Sequence, residues 1–319
     1  MVETTAVDHE ALELFERSLR GLLPSAGVAV DDALEQVGWR DFLGEDAAAV
    51  VPLLFTMHGE LLLASTALDD VAFEVLRLDR TGDATGAFAH PRRGDAAAAI
   101  RDDELVVDAL VLGKRRGTPL TMVLGSDAVT VPATALERAP VQGIDPSLGL
   151  VHVHGAVARA DVTMHRDVAG AAVEWACRRA LAYEVLGTVD AMLATATDYA
   201  QVRSQFGQPI GAFQAVKHRL ADVYVARRAA GSVVAESWHA DPEVMTLAAK
   251  ALAFRAGALA AEHCLQVLGA IGFTLEHDLH RFVRRVRVLD QLYGTERETR
   301  TALGRVLLAQ GRVPRPGSV

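Results

Sequence analysis

From Asp167 to Gln310 the chain carries only two prolines, Pro209 and Pro242, and its apolar residues return at helical spacing throughout. So long a stretch with so few helix breakers has little freedom. An interior proline removes a ladder hydrogen bond and clashes with the turn before it, so helices run on until a proline or a polar loop stops them. The periodic segments are Asp167–Tyr199, Phe213–His239, Pro242–Ile271 and Leu289–Gln310. Their short connections favour antiparallel neighbours, and four such segments predict a four-helix bundle.

The first part of the chain is helical as well. Between Thr5 and Leu78 apolar residues recur at Leu12, Phe15, Leu19 and Leu22, then at Ala47, Val50, Val51, Leu54 and Met57. Pro24 and Gly27 separate these helices, and Asp69-Asp70 marks a helix start. From Asp79 to Thr163 the texture turns to short β-leaning runs, Glu104–Leu112, Leu120–Leu124, Ala128–Pro132 and Leu148–Ala156, divided by Gly, Pro and Asp turn signals. This predicts a small antiparallel sheet. On the last of these strands His152 and His154 face one side; with no third ligand nearby they read as ordinary strand residues rather than a metal site. The fold class is therefore mainly α with a small β domain, divided as 1–78, 79–163 and 164–319.

Composition narrows the function. Lys+Arg 32 against Asp+Glu 41 gives a net charge of −9 over 319 residues. A nucleic-acid binder needs concentrated positive charge, so no nucleic acid is expected. Only Lys114, Lys217 and Lys250 are lysines, so arginine carries nearly all the positive charge, and 55 alanines favour helix. Two cysteines, Cys177 and Cys264, make neither a disulfide scaffold nor a zinc site. The most apolar window, Ala47 to Leu68, is broken by Pro52, His58, Gly59 and Glu60 and reads as a buried helix, so no membrane span is expected. Met1 to Glu16 is acidic and lacks the basic, then apolar order of a signal peptide, which points to a cytoplasmic protein.

Two helix connections carry more than a turn needs. The first runs Tyr199-Ala-Gln-Val-Arg-Ser-Gln-Phe-Gly-Gln-Pro-Ile-Gly-Ala-Phe-Gln214 and continues to Lys217-His218 and Leu220-Ala221-Asp222. The second runs Gln266-Val-Leu-Gly-Ala-Ile-Gly-Phe-Thr274. Arg203 is a permanently charged fork that matches a pyrophosphate. Phe206 and Phe213 offer flat apolar faces, and Gln205, Gln214 and Gln266 offer adaptable hydrogen bonds. Gly269 to Gly272 lets a ligand approach the backbone. Each feature alone could be structural; together they suit a nucleotide with a diphosphate and a flat heteroaromatic end.

In order and spacing both segments resemble the C-terminal domain of the acyl-CoA dehydrogenase flavoproteins. That family reads R-x-x-F-G-x-P-[IL]-x-x-F-Q-x-x-x-H-x-L-A-[DE] and later Q-x-x-G-G-x-G-[FY]; here Ala270 replaces the second of those glycines. The helix, β, helix order fits the family's N-terminal, middle and C-terminal domains, with the first two shortened and reduced here. The resemblance implies FAD as cofactor, an acyl-CoA thioester as substrate and electron-transferring flavoprotein as acceptor. Arg203, Gln205, Phe206, Phe213, Gln214, Gln266, Gly269, Ala270 and Thr295 are the positions it assigns to FAD.

The same resemblance exposes what is missing. The family's base lies in a Y-E-G-T segment, followed by basic residues five and ten positions after the threonine. Here Leu292-Tyr293-Gly294-Thr295 is followed by Arg300 and Arg305, so the register holds and the glutamate is lost between Tyr293 and Gly294. The family's alternative base position, near the start of the first bundle helix, holds Cys177. The T-E-P-x-x-G-S-D stretch that contacts the flavin ring is replaced by Ala89-His90-Pro91-Arg92-Arg93-Gly94-Asp95, and its tryptophan-Ile-Thr strand has no match between Val106 and Leu124. A positioned base contributes roughly 10²–10⁴-fold, so no catalytic residue is assigned and the chain alone is expected to be nearly inert.

Some actinobacterial members that act on steroid side-chain CoA thioesters are α2β2 heterotetramers in which one chain lacks the glutamate. The resemblance implies that this chain is such a partner, giving the adenosine–diphosphate half of the FAD site to a homologous catalytic chain. Two alternatives stay open: a self-sufficient dehydrogenase whose base has moved to Glu174, Glu184 or Glu296, and a flavin-free scaffold subunit.

Overall fold

The computed structural model describes residues 9–22, 29–78, 86–113 and 118–311. The expected break at Pro24 and Gly27 and the boundary at Asp79 lie outside the described residues, as does the start of the acidic N-terminal stretch. The helices α1 (His9–Leu22), α2 (Val30–Gln36), α3 (Trp39–Glu45), α4 (Ala47–Leu61) and α5 (Ala67–Leu76) come first. Strands β1 (Ala87–Pro91), β2 (Ala98–Arg101), β3 (Glu104–Val111), β4 (Leu120–Leu124), β5 (Asp127–Val131), β6 (Glu137–Pro140), β7 (Val151–Ala158) and β8 (Thr163–His165) follow. Then come α6 (Gly170–Val202), the two-residue strands β9 (Ser204–Gln205) and β10 (Gln208–Pro209), α7 (Gln214–Glu236), α8 (Pro242–Leu268), α9 (Leu279–Leu289) and α10 (Glu296–Gln310). The chain is mostly helical with a small β region. It divides into two compact units: residues up to Leu54 with Leu63–Cys177 and Leu292–Gly294, and Phe55–Leu62 with Arg178–Gln291 and Thr295 onwards.

In the first unit an aromatic cluster gathers the early helices. The Phe15 ring lies 4.9 Å from Phe42 and 6.4 Å from Trp39. Trp39 and Arg40 donate to the two carboxylate oxygens of Asp70, at 3.2 and 3.1 Å, so α3 is tied to the first turn of α5. The sheet runs β6-β7-β3-β1-β4-β5-β8, with β2 paired to β3. It departs from the antiparallel expectation at one ladder, because β1 pairs parallel with β4. Alternating residues of β3 (Leu105, Val107, Ala109, Val111) meet Met122, Val129, Val131 and Val153 in the core, as strands with one buried face require. On the opposite face His154 lies between Asp108 and Glu137 in register, and His152 Nε2 stands 2.7 Å from Asp108 Oδ1.

The second unit is built on α6 to α10. Between Asp167 and Gln310 the structure forms five helices, not four. The expected Leu289–Gln310 helix begins at Glu296, because Tyr293 and Gly294 take positive φ (+55° and +92°) and reverse the chain. Ahead of that reversal lies a helix the sequence reading left unassigned, α9. Helices pack closely where glycine allows it: a Cβ on Gly59 would sit 1.8 Å from the Glu184 carbonyl oxygen, so no larger residue fits there. Arg285 is fully buried and donates to Glu184 at 3.0 Å and to the Leu62 carbonyl at 3.3 Å. Burial, reinforced by the Arg285 charge, pushes the neighbouring His58 down to about 3, so it stays neutral. The stretch Pro242–Phe273 is long and apolar enough to cross a membrane, but 67% of its most apolar window is buried in protein, which makes it a core helix.

Candidate functional site

The Tyr199–Gln214 segment is a compact projection. Arg203 follows the end of α6, and the Ile210 N–H donates to the Arg203 carbonyl at 2.8 Å, closing a hairpin through β9 and β10. Phe206 (φ +53°) and Gly207 (φ +81°) form its two-residue tip, the left-handed pair that a tight hairpin requires. Phenylalanine accepts that conformation at a cost, and its side chain is 92% exposed. The Phe206 ring meets Phe213 edge-on, with centroids 6.2 Å apart. Phe213 is the N-cap of α7, and Gln214 is that helix's first residue. Arg203, Gln205 and Gln214 are exposed, and among the described residues no carboxylate pairs with Arg203.

The second segment lies at the same end of the unit. Helices α7 and α8 are joined by a short turn and pack along their lengths, so the start of α7 neighbours the end of α8. A hydrogen bond between His263 Nδ1 and the Arg219 carbonyl oxygen, 3.0 Å long, fixes this alignment. Gln266 is exposed on the last turn of α8. Gly269 ends the helix at φ +66° and ψ −141°, a conformation that glycine alone adopts readily. Ala270 points to solvent, whereas Gly272 is buried, where a Cβ would crowd Leu268 at 3.1 Å. Val202, Phe206, Phe273 and Leu275, on or beside these two segments, are all strongly exposed apolar side chains. Thr295 opens α10 in a capping box: its Oγ1 accepts from the Glu298 N–H, and its own N–H donates to Glu298 Oε2 at 2.8 Å.

A second constellation sits in the first unit and is its opposite in character. Asp69, on the first turn of α5, accepts from His90 Nε2 at 2.8 Å and from the Phe88 N–H at 3.1 Å. His90 Nδ1 is 2.8 Å from the Tyr293 hydroxyl, which also hydrogen-bonds Cys177. Asp69 and His90 are wholly buried and Tyr293 is 2% exposed. Asp69, His90, Tyr293 and Cys177 thus form one continuous buried string of hydrogen-bonding side chains. Burial, with Cys177, Glu174 and Asp69 adding to it, holds the Tyr293 phenol well above its ordinary value, so it remains protonated. The Leu292–Gly294 segment is held in place by a bridge from Leu292 to Arg92 and by the Tyr293 N–H donating to the Pro91 carbonyl at 3.4 Å. The string therefore unites His90, Cys177 and Tyr293, the positions where the resemblance looks for ring-contacting and base residues.

The substitute carboxylates are placed differently. Glu184 is engaged by the buried Arg285. Glu296 pairs with Arg300 at 3.3 Å on α10, and its N–H donates to Asp290. Glu174 lies one turn from Cys177, where its charge acts on Tyr293. Sequence reasoning had no means of joining Asp69 and His90 to Tyr293, which lies 203 residues beyond His90; histidine before Pro91 was the only outward sign.

Comparison with known proteins bears on the family and the fold. Residues 165–308 match the family model described as acyl-CoA dehydrogenase, C-terminal domain. A 118-residue stretch is 42% identical to acyl-CoA dehydrogenase IpdE2 of Mycobacterium tuberculosis, covering 37% of each chain. Matches to the first curated relatives span between 22% and 38% of their length. Among solved structures, the ChsE4-ChsE5 complex from Mycobacterium tuberculosis superposes with a TM-score of 0.70 at 19% identity, covering 96% of this chain and 97% of that one. Acyl-CoA dehydrogenase from Geobacillus kaustophilus gives 0.69 at 14%, covering 95% and 99%. At those identities the likeness establishes the fold.

Proposed function

Since residues 165–308 belong to the acyl-CoA dehydrogenase family, whose homologues are FAD-dependent, we propose that this chain is the non-catalytic subunit of a heteromeric acyl-CoA dehydrogenase. It gives the adenosine–diphosphate half of the FAD site to a homologous catalytic chain in an α2β2 assembly. FAD supplies the two-electron acceptor for α,β-dehydrogenation of the partner's acyl-CoA. Electron-transferring flavoprotein as the next acceptor, a steroid side chain on the thioester and a cytoplasmic location complete the reading; the first two come from the resemblance and the third from the composition of the N-terminal stretch.

One observation carries the proposal. The residues suited to the diphosphate end stand open, with Arg203 free of any described carboxylate and Phe206 almost fully exposed. Those at the base and ring-contact positions are closed upon themselves in the buried Asp69–His90–Tyr293–Cys177 string. The chain's residues thus fit the nucleotide end of FAD, and those at the ring positions are already engaged. Arg203 faces the diphosphate with paired N–H donors, and the Phe206–Phe213 pair presents an aromatic surface to adenine. Gln205, Gln214 and Gln266 supply hydrogen bonds, Gly269 and Ala270 let the backbone come near, and Thr295 contributes from the head of α10. Flavin content would be measured for the chain expressed alone and with its assembly partner. The expected result is flavin only in the assembly; stoichiometric FAD with turnover in the solitary chain refutes the proposal.

A further inference from the structure

The face shared by α7 and α8 carries an exposed pattern that the nucleotide end does not use. Helix α7 is 23 residues long, yet its buried residues are Val223, Ala230 and Val234 alone. Beside it, α8 leaves one stripe wholly or partly open to water: Leu252, Arg255, Ala258, Leu259, Glu262 and Leu265. Their spacing puts them on one side of the helix. With Ala226 and Ala229 of α7 and Val283 of α9, this stripe lines a groove of about 670 Å³. Small alanine side chains at its edges let a second helix come close. Arg255 and Glu262 are exposed, and among the described residues neither has an ion-pair partner.

The stripe is complementary to itself read backwards. About a point between Ala258 and Leu259, Leu252 falls opposite Leu265, Arg255 opposite Glu262, and Ala258 opposite Leu259. Apolar meets apolar, cation meets anion, and a small side chain meets a large one. A two-fold axis crossing the helix at that point performs this reversal, because it runs one copy's α8 antiparallel to the other's. Arg255 and Glu262 are two helical turns apart, about 10.5 Å along the axis, so each copy offers both charges on the same side. An exposed ion pair adds little attraction, so the apolar stripe supplies the affinity and the charges set the register.

We propose that this face joins two copies of the chain, with α8 packed antiparallel on α8 of the second copy and two Arg255–Glu262 pairs flanking a central Ala258–Leu259 contact. The proposal does not depend on the nucleotide half-site. In an α2β2 assembly it makes like chains, not unlike ones, the contact across this groove.

The test is a charge-exchange cycle on the full chain, read as mass by analytical ultracentrifugation. The wild type should sediment as two copies. Arg255→Glu and Glu262→Arg each bring like charges together twice per dimer and should each weaken it about 30-fold. The double variant Arg255→Glu/Glu262→Arg should recover most of that loss. Ala258→Glu sets two carboxylates at the axis from an exposed position and should give single copies with an unchanged circular dichroism spectrum. A wild-type chain that sediments as one copy overturns the proposal. So does a dimer that either single reversal leaves intact, or that the double variant fails to restore. In the co-expressed assembly, Ala258→Glu should separate the two copies of this chain. If it releases the homologous catalytic chain instead, that chain covers the groove and the proposal falls.

Discussion

The two polar constellations of this chain invert each other. Around Tyr293, four side chains from distant parts of the sequence are withdrawn from water and bonded to one another. Around Arg203, the polar and aromatic groups come from two short continuous segments and face solvent. A buried polar network is worth keeping only when its members bond to one another, and the Tyr293 string is continuous without a ligand. An exposed guanidinium beside flat apolar rings is stable in water yet gains most from an anionic, aromatic guest. The contrast separates what a subunit needs to fold from what it offers to others.

The largest effect that would test this division lies in the helical unit. Replacing Glu184 by Ala strands the buried Arg285 and should cost about 3–5 kcal/mol in chemical denaturation, while flavin per folded assembly stays constant. If flavin falls in proportion, structure and site are not separable. Arg203→Ala should do the reverse, weakening FAD binding by about 1.5–3 kcal/mol in fluorescence titration with no change in melting temperature. Tyr293→Phe removes one hydroxyl from the string and should lower stability by about 1–2 kcal/mol, again with flavin intact.

A pH effect comes next. Lys250 is completely buried in α8, and burial brings its folded ammonium down to about 7, below its ordinary value. From there up to the ordinary value the unfolded chain holds a proton that the folded chain lacks. Stability therefore rises with pH across that window, by at most about 1.4 kcal/mol per unit, and Lys250→Met should flatten the slope in thermal scans. The smallest effect expected is none: Glu174→Gln should leave turnover of the assembly unchanged, and loss of turnover would revive the idea of a relocated base.

Much of the fold was legible because its signals are local. Alanine-rich periodic runs and confined prolines gave α6, α7 and α8 nearly as they stand. Strands β3, β4, β5 and β7 were readable from β-branched runs between turn residues, whereas β1, with its Phe-Ala-His-Pro, resembled no regular strand. The break before α10 carried a local signal that went unread: Thr295 followed three residues later by Glu298 is a capping box. Each segment proposed to face the nucleotide is contiguous, so motif order exposed it. The Asp69–His90–Tyr293–Cys177 string was not readable, since no local pattern reports which distant polar residues will satisfy one another. Lys250 was visible only as a rare residue on an apolar face.

In the proposed heteromeric assembly the exposed side chains Val202, Phe206, Phe273 and Leu275 have a cellular consequence. A surface that is complete only when covered turns chain balance into a matter of solubility. Copies made in excess of their partner would stick to one another through that end and be cleared as misassembled protein. Under that proposal, matched synthesis of the two chains becomes a requirement imposed by four exposed side chains, independent of any demand for the reaction itself.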